Sequence, residues 1–117
     1  MAGILLLGAC AAPSGISVTA QELCSAYQDD EAAADEQYKD KILEVTGIVE
    51  SVGRDREDNP YVVLTGGGMS EGVRCWFSAR DIDQVLDLRI TREATIRGKC
   101  HGYALFTVLV DGCSVVD

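Results

Sequence analysis

The chain has 117 residues, of which 47% are hydrophobic and 25% are charged, so it has enough apolar sequence for one small folded domain and does not resemble a disordered chain. Acidic residues outnumber basic ones by 19 to 10, and the formal net charge is −9. This balance disfavours a protein that follows a nucleic-acid backbone, because each phosphate contact needs a Lys or an Arg. It also disfavours docking to anionic lipid through charge, and it is expected mainly to keep the domain soluble.

The amino terminus has the pattern of an export signal. Four large apolar residues, Ile4 to Leu7, precede small residues and a segment that no regular element would contain, Pro13 to Gly15. An apolar segment followed by small residues is typical of a signal peptide and its cleavage site. The tetrapeptide Leu7-Gly8-Ala9-Cys10 resembles the bacterial lipobox, which implies cleavage before Cys10 and acylation of its thiol. No Lys or Arg precedes Cys10 and the apolar run is short, so the alternative is an ordinary tail with a chance cysteine.

The lipobox interpretation divides the chain into a signal-peptide remnant (1–9), a flexible tether (10–16) and a folded domain (17–117). It predicts a lipoprotein that is anchored through Cys10 in the bacterial cell envelope, on the periplasmic side. Ala11 after the cysteine favours the outer membrane over the inner one. Nothing else in the sequence is long and apolar enough to span a bilayer.

Helical signals follow the tether. The tetrapeptide Thr19-Ala20-Gln21-Glu22 has the form of a capping box, in which the side chains of Thr19 and Glu22 each accept a hydrogen bond from the other residue's backbone amide. Apolar residues then recur at helical spacing, which predicts a helix from about Thr19 to Gln28. Three acidic residues at 29–31 suit the positive end of a second helical segment, which is expected to reach Tyr38.

From residue 42 the apolar pattern changes to the period of β-strands. Five strands are predicted, at 42–52, 61–65, 73–78, 94–100 and 105–110, with a short helix at 79–87 between the third and the fourth. Gly47, in the middle of the first strand, indicates a bulge or bend. Three strands, a helix and two strands are the element order of an OB-fold barrel. The predicted fold class is therefore mainly β with short helices: a five-stranded OB-fold barrel with an additional amino-terminal helix.

Several short motifs also resemble one family in their order and spacing. They are EAAADEQYK at 31–39, LEVTG at 43–47, VRCWF at 73–77, GKCHG at 98–102 and DGC at 111–113. Together they resemble the tRNA_anti-like OB-fold family over about Val18 to Val116. The resemblance implies the OB-fold and a bacterial family with many lipoproteins, and it supplies no catalytic residue.

Four cysteines follow Cys10 in the chain: Cys24, Cys75, Cys100 and Cys113. In an oxidising compartment they could form disulfides, with three possible connectivities. Strand parity places Cys75 and Cys100 towards the core. If the last two strands turn around 102–104, Cys113 lies opposite about Ala94 and roughly 20 Å from Cys100, too far for a disulfide. The fifth strand of an OB barrel runs parallel to the third, so Cys75–Cys113 is the preferred pair, and four buried thiols are the alternative.

No pattern typical of catalysis or of a metal site stands out. His101 is the single histidine, and no nucleophile lies beside it in a recognisable motif. No Cys-x-x-Cys pair is present, which disfavours zinc, and the acidic loop at 55–59 lacks the spacing of a calcium loop. Glycines 66–68 lack the lysine of a phosphate-binding loop and indicate a turn. We therefore expect a non-catalytic protein with no metal and no cofactor.

A ligand-binding site is expected on the outer face of the second and third strands, where OB-folds hold their ligands. Parity places Tyr61, Arg74 and Trp76 on that face, and Tyr103 lies in a loop expected to border it. Aromatic rings beside an arginine could form a stacking platform. In the alternative, the amino-terminal helix covers Tyr61 and Trp76, and both belong to the core.

These observations favour a non-catalytic envelope lipoprotein whose OB-fold domain binds a protein, a peptide or a glycan, or has a structural role. The alternative is a cytosolic OB module that binds single-stranded nucleic acid through Tyr61, Arg74 and Trp76. The excess of acidic residues makes nucleic acid the less favoured partner.

Overall fold

The strands of this protein carry alternating buried and exposed residues, and they assemble into one six-stranded sheet. The structure is a computed structural model that describes residues 15–66 and 71–116. In chain order the elements are β1 (Ile16–Thr19), α1 (Ala20–Asp29), α2 (Glu31–Tyr38), β2 (Ile42–Arg54), β3 (Pro60–Leu64), β4 (Val73–Trp76), a 3₁₀ turn (Ala79–Asp81), α3 (Ile82–Leu86), β5 (Glu93–Ala104) and β6 (Thr107–Val116). The predicted cleavage site, Cys10 and most of the predicted tether lie outside the described residues.

The sheet closes partly into a ring because β2 pairs with two strands on different parts of its length. The strand order is β1-β2-β3-β4-β6-β5, and β2 also pairs with β5. The first half of β2 is antiparallel to β5, and its second half is antiparallel to β3. Strands β4 and β6 run parallel, as expected for the third and fifth strands of an OB-fold. The predicted class, mainly β with short helices, is confirmed, and the arrangement is OB-like.

Gly47 lies at a close approach, and the irregularity of β2 falls just after it. A Cβ atom at Gly47 would lie 2.9 Å from the Cβ of Ala20 and 3.2 Å from that of Leu64, so the first residue of α1 and the end of β3 leave no room for a side chain. The pairing of β2 with β3 shifts register between Val49 and Ser51. The predicted bend therefore occurs a few residues after the glycine that indicated it.

The helix starts follow the predicted capping. The backbone amide of Glu22 donates to Thr19 Oγ1 and that of Thr19 donates to Glu22 Oε1, both at 3.0 Å, so the capping box is confirmed. Helix α2 begins after Asp30, whose side chain accepts from the amide of Ala33 at 3.1 Å. These caps satisfy amide groups that have no partner within the helix.

The interior of the ring is filled by the inward-facing residues of every strand from β2 to β6. Fully buried examples are Leu43, Val45, Val62, Leu64, Val73, Ile96, Val108 and Val110. Helix α1 closes the core through Leu23, Cys24 and Tyr27. The hydroxyl of Tyr27 donates to Asp35 Oδ1 at 2.8 Å and lies 3.7 Å from Cys100 Sγ. Burial is the largest cause that raises the pKa of Tyr27 well above its ordinary value, and the hydrogen bond to Asp35 is the next largest.

Two features of the chain path differ from the sequence predictions. Strand β1 was not predicted; it begins at Ile16, inside the predicted tether, and pairs in parallel with β2 from Leu43 onward. The last two strands are longer than predicted, and they turn at Leu105–Phe106 rather than at 102–104. Both turn residues have positive φ angles, 52° and 67°, a conformation that bulky residues rarely adopt and that Leu-Phe does not signal in sequence.

Candidate binding site

Three of the predicted binding residues form one cluster on the outer face of β3 and β4. The Tyr61 and Trp76 rings meet edge to face, with 6.3 Å between their centroids. The guanidinium carbon of Arg74 lies 4.6 Å from the centroid of Tyr61 and 5.7 Å from that of Trp76, which is cation–π range for both rings. All three residues remain partly exposed. We refer to Tyr61, Arg74 and Trp76 as the aromatic platform.

Strand register builds this platform. Tyr61 lies directly opposite Trp76, and Arg74 lies opposite Val63, so the three side chains are cross-strand neighbours on one face. The residues between them, Val62 and Cys75, point into the core and are fully buried. The outward orientation that parity predicted for the platform residues is therefore confirmed; their role in binding stays a prediction.

Gly53 on β2 supports one edge of the platform. It pairs with Tyr61, and a Cβ atom at this position would lie 2.8 Å from the Tyr61 hydroxyl oxygen and 2.9 Å from the ring carbon that bears it. The Tyr61 side chain therefore lies across bare backbone. Aromatic side chains commonly cover glycines on sheet faces in this way.

The amino-terminal helix lies over a different part of the ring. Helix α1 packs mainly against β1, β2, β6 and α2. Its buried Tyr27 stacks on Tyr103, with the ring centroids 5.4 Å apart and the planes at 12°. The structure therefore does not support the alternative in which α1 covers Tyr61 and Trp76. It also separates Tyr103 from the aromatic platform, and burial raises the pKa of the Tyr103 hydroxyl above its ordinary value.

An open cleft of about 710 Å³ adjoins the platform at Trp76. Its walls are the loop between β2 and β3, the end of β4 with the two residues after it, His101 of β5 and the middle of β6. The lining residues are Asp55, Asn59, Trp76, Phe77, Ser78, His101, Leu109, Val110, Asp111 and Gly112. The cleft thus combines an aromatic edge with two carboxylates, an imidazole, an amide and a hydroxyl. The sequence analysis named only Trp76 among these residues as a ligand-binding candidate, because they come together from four separate segments.

Asp55 organises the loop wall of the cleft. Its Oδ1 accepts hydrogen bonds from the backbone amides of Glu57 and Asn59, both at 2.9 Å, and its Oδ2 accepts from the Asn59 side chain at 3.3 Å. These donors, the Asn59 amide first, lower the pKa of Asp55 below its ordinary value. The Trp76 indole N–H also lowers the pKa of Asp55, by a smaller amount, although no hydrogen bond joins the two groups.

Two donor nitrogens of the platform are shielded and have no hydrogen-bond partner among the described residues. They are Nε of Arg74 and Nε1 of Trp76. Shielded donors are normally paired in folded proteins, so an unpaired one calls for an explanation such as water or a ligand. On the opposite wall, His101 Nε2 lies 3.4 Å from Asp111 Oδ2, and both side chains are about half exposed.

The four cysteines after Cys10 are all buried, and no disulfide joins them within the described part of the chain. The core-facing orientation predicted for Cys75 and Cys100 is confirmed. The predicted position of Cys113 opposite about Ala94 is wrong, since Cys113 lies across from Gly98. The later turn at 105–106 causes this difference, because the two register shifts between β5 and β6 cancel before Cys113.

The described residues include no group of three His, Cys, Asp or Glu side chains placed to bind a metal ion. Across residues 15–66 and 71–116, no helix has the length and apolar character needed to cross a membrane.

Comparison with known proteins gives a family and a fold. The model of the tRNA_anti-like family matches residues 8–114. The chain is also similar to the crystal structure of a "putative nucleic acid-binding lipoprotein" from Klebsiella pneumoniae subsp. pneumoniae. The TM-score is 0.73 at 18% sequence identity, and the match covers 96% of this chain and all of the other. No curated protein matches the chain.

Proposed function

The chain belongs to the tRNA_anti-like family. We propose that it is a cell-envelope lipoprotein whose OB-like domain binds a glycan at the aromatic platform and the adjoining cleft. In this proposal Cys10 carries the lipid anchor, and the domain acts by binding without catalysis. The observation that carries the ligand assignment is the position of the platform at the mouth of a cleft lined by uncharged and acidic polar groups. The lipoprotein name of the Klebsiella protein supports the anchor.

The chemistry of the cleft fits a sugar better than a phosphate chain. A pyranose ring offers an apolar face that packs on an aromatic ring, and hydroxyls that donate to carboxylates and accept from N–H groups. The cleft supplies polar groups on Asp55, Asn59 and Asp111, and the platform supplies the ring of Trp76 at its edge. Two carboxylates facing the same cleft repel phosphates, which disfavours a nucleic-acid backbone at this position.

Trp76 is the single tryptophan of the chain, so its fluorescence reports directly on the platform. We expect β-1,4-linked N-acetyl amino-sugar oligomers, added to the full-length protein in detergent, to change that fluorescence in a saturable manner. Arg74→Gln should weaken the glycan affinity by about tenfold, because each well-placed hydrogen bond to a charged group contributes about 1.5 kcal/mol or more. Tyr103→Phe, a change to an aromatic residue away from the platform, serves as the matched control and should leave the affinity unchanged.

Single-stranded nucleic acid is the second candidate, and two observations favour it. The Klebsiella protein carries nucleic-acid binding in its name, and an arginine stacked with two aromatic rings is a common arrangement for holding bases. Binding of this kind falls steeply with salt. A change in Trp76 fluorescence with an oligonucleotide that disappears between 50 and about 200 mM salt, together with no response to the glycan, would replace the first candidate with the second.

The anchor is tested separately from the ligand. The intact mass of the protein, expressed from its native gene and extracted from membranes, should correspond to a chain that begins at Cys10 and carries acyl groups. An unmodified chain in the soluble fraction would contradict the lipoprotein assignment and leave the ligand experiment unaffected.

A further inference from the structure

The thiols of Cys75 and Cys113 meet inside the ring, although their strands have no backbone pairing at Cys113. The two side chains are 0% and 3% exposed. Cys113 Sγ lies 3.6 Å from the carbonyl oxygen of Val110, the residue of β6 that pairs with Cys75, so the two cysteines are neighbours in the core. Strand β4 pairs with β6 at three positions, from Val73 to Cys75, and beyond them the two strands separate.

A bulge in β6 turns Cys113 inward. Lys99 pairs with Asp111 and Arg97 pairs with Ser114, so two residues of β6 stand against one residue of β5. Gly112 occupies the bulge with φ +62°, and nothing lies within 4 Å of the Cβ that another residue would place there. Glycine is therefore needed for backbone conformation rather than for space. With Val110 facing the core, strict alternation would point residue 113 outward, and the extra residue reverses this.

A second glycine makes room for the sulfur atom. A Cβ atom at Gly98, on the facing strand, would lie 2.7 Å from Cys113 Sγ. Any larger residue at this position would push the Cys113 side chain away from Cys75. One glycine thus orients Cys113, and another leaves the space that its thiol occupies.

We propose that Cys75 and Cys113 form a disulfide that joins β4 to β6 at the point where these strands separate. The proposal rests on the export that is part of the proposed function, because disulfides persist in oxidising compartments. The other two cysteines have different surroundings: Cys100 lies against the Tyr27 hydroxyl at 3.7 Å, and Cys24 lies on α1. The arrangement therefore selects one pairing out of those that the sequence left open.

The reaction is a two-step thiol–disulfide exchange. The thiolate of one cysteine attacks the disulfide of a thiol oxidoreductase or of oxidised glutathione and forms a mixed disulfide. The second thiolate then displaces the oxidant's sulfur, and the oxidant leaves as thiol with two electrons and two protons from the protein. The hydrogen bond with Cys75 and burial both raise the pKa of Cys113 in the folded chain, which disfavours its thiolate. We therefore expect the bond to form during folding, before the thiols are buried.

The test uses the full-length protein from two sources. One sample is extracted from membranes of the producing cells, alkylated at once in denaturant so that buried thiols react, and mapped by mass spectrometry without reduction. The other is refolded from denaturant with oxidised glutathione and mapped in the same way. We expect a Cys75–Cys113 cross-linked peptide in both samples, with Cys24 and Cys100 alkylated. The melting temperature should fall by at least about 5 °C on reduction.

Substitutions separate the pair from its neighbours. Cys75→Ala and Cys113→Ala should each abolish the cross-link and its reduction-dependent change in melting temperature. Cys24→Ser serves as the matched control and should retain both. Gly98→Ala should leave the cross-link unformed even where the chain folds, because its methyl group would take the space of the sulfur atom.

The outcomes distinguish this proposal from the proposed function. An acylated chain from membranes with all four thiols alkylated, or a refolded chain with a different pairing, would overturn the disulfide and leave the lipoprotein assignment intact. A chain from cells without acyl groups would overturn the anchor, while the refolded sample would still decide the pairing.

Discussion

The hairpin between β5 and β6 places two bulky residues where the backbone favours asparagine and glycine. Leu105 and Phe106 have φ angles of 52° and 67°, and their side chains are 87% and 59% exposed. Left-handed backbone costs a residue other than glycine roughly 1–2 kcal/mol, and the exposed side chains recover little of this by burial. Two-residue turns with both φ angles positive prefer Asn-Gly. The double substitution Leu105→Asn, Phe106→Gly should therefore stabilise the protein.

The expected gain follows from these terms. Glycine at position 106 removes roughly 1–2 kcal/mol of strain, and asparagine, which tolerates this backbone better than leucine, removes part of a similar amount at position 105. About 1 kcal/mol is lost to the greater freedom of glycine in the unfolded chain, and a further part to lost Phe106 contacts. A net gain of about 1 kcal/mol should raise the melting temperature by roughly 4–8 °C. Thermal unfolding followed by circular dichroism measures the change.

An exposed leucine on ordinary helical backbone provides the matched control. Leu86 in α3 is 67% exposed and has no positive φ angle, so Leu86→Asn should lower stability slightly through helix propensity. If the hairpin variant melts at the same temperature as the wild type or below it, then the turn is not strained, or its side chains contribute contacts that outweigh the strain.

Three further predictions concern the platform, the loop and the buried tyrosine. Gly53→Ala should shift Trp76 fluorescence and weaken ligand binding by displacing the Tyr61 ring, while the melting temperature changes little because that ring can move; unchanged fluorescence would mean that Gly53 does not support the platform. The amide signals of residues 57 and 59 should stay constant in NMR spectra from pH 7 to 5 and then move in a transition whose midpoint lies below 3.8, since a lowered Asp55 pKa keeps the loop's hydrogen bonds until the carboxylate is protonated; the Asp55→Asn variant should lack this transition. The free energy of unfolding should fall as the pH rises above 10, because Tyr27 ionises there in the unfolded chain and stays protonated in the folded one. Tyr27→Phe should reduce this dependence on pH in urea titrations, and it should cost about 1 kcal/mol at pH 7.

Where local chemistry determines the structure, the sequence predicted it. The capping box at Thr19, the alternation that orients Tyr61 and Trp76, and the order of the main strands were all visible in residue patterns. Each of these depends on neighbours within a few positions. The outward face of the aromatic platform therefore followed from parity alone.

The features that the sequence did not predict depend on distant segments. Strand β1 exists because four residues find a parallel partner at the start of β2, and nothing in their own pattern signals it. The turn at Leu105 is set by the pairing of β6 with β4 and β5, which overrides the preference of its own residues. The position of Cys113 opposite Gly98 follows from that turn, and its inward orientation follows from the bulge at Gly112, so an extrapolation from a turn at 102–104 placed it near the wrong residue.

The bulge at Gly112 links the interior of the ring to the cleft on its surface. On its core side it brings Cys113 to Cys75, and on its outer side Asp111 and Gly112 line the cleft, where Asp111 faces His101. Cys75 also directly precedes Trp76, which the platform and the cleft share. A bond between the two sulfur atoms would therefore fix the backbone beneath both walls of the cleft at once. Restricting a site before its ligand arrives reduces the entropy lost on binding. If the proposed disulfide and the proposed ligand are both correct, reduction of the protein should weaken glycan binding even at temperatures where the domain remains folded.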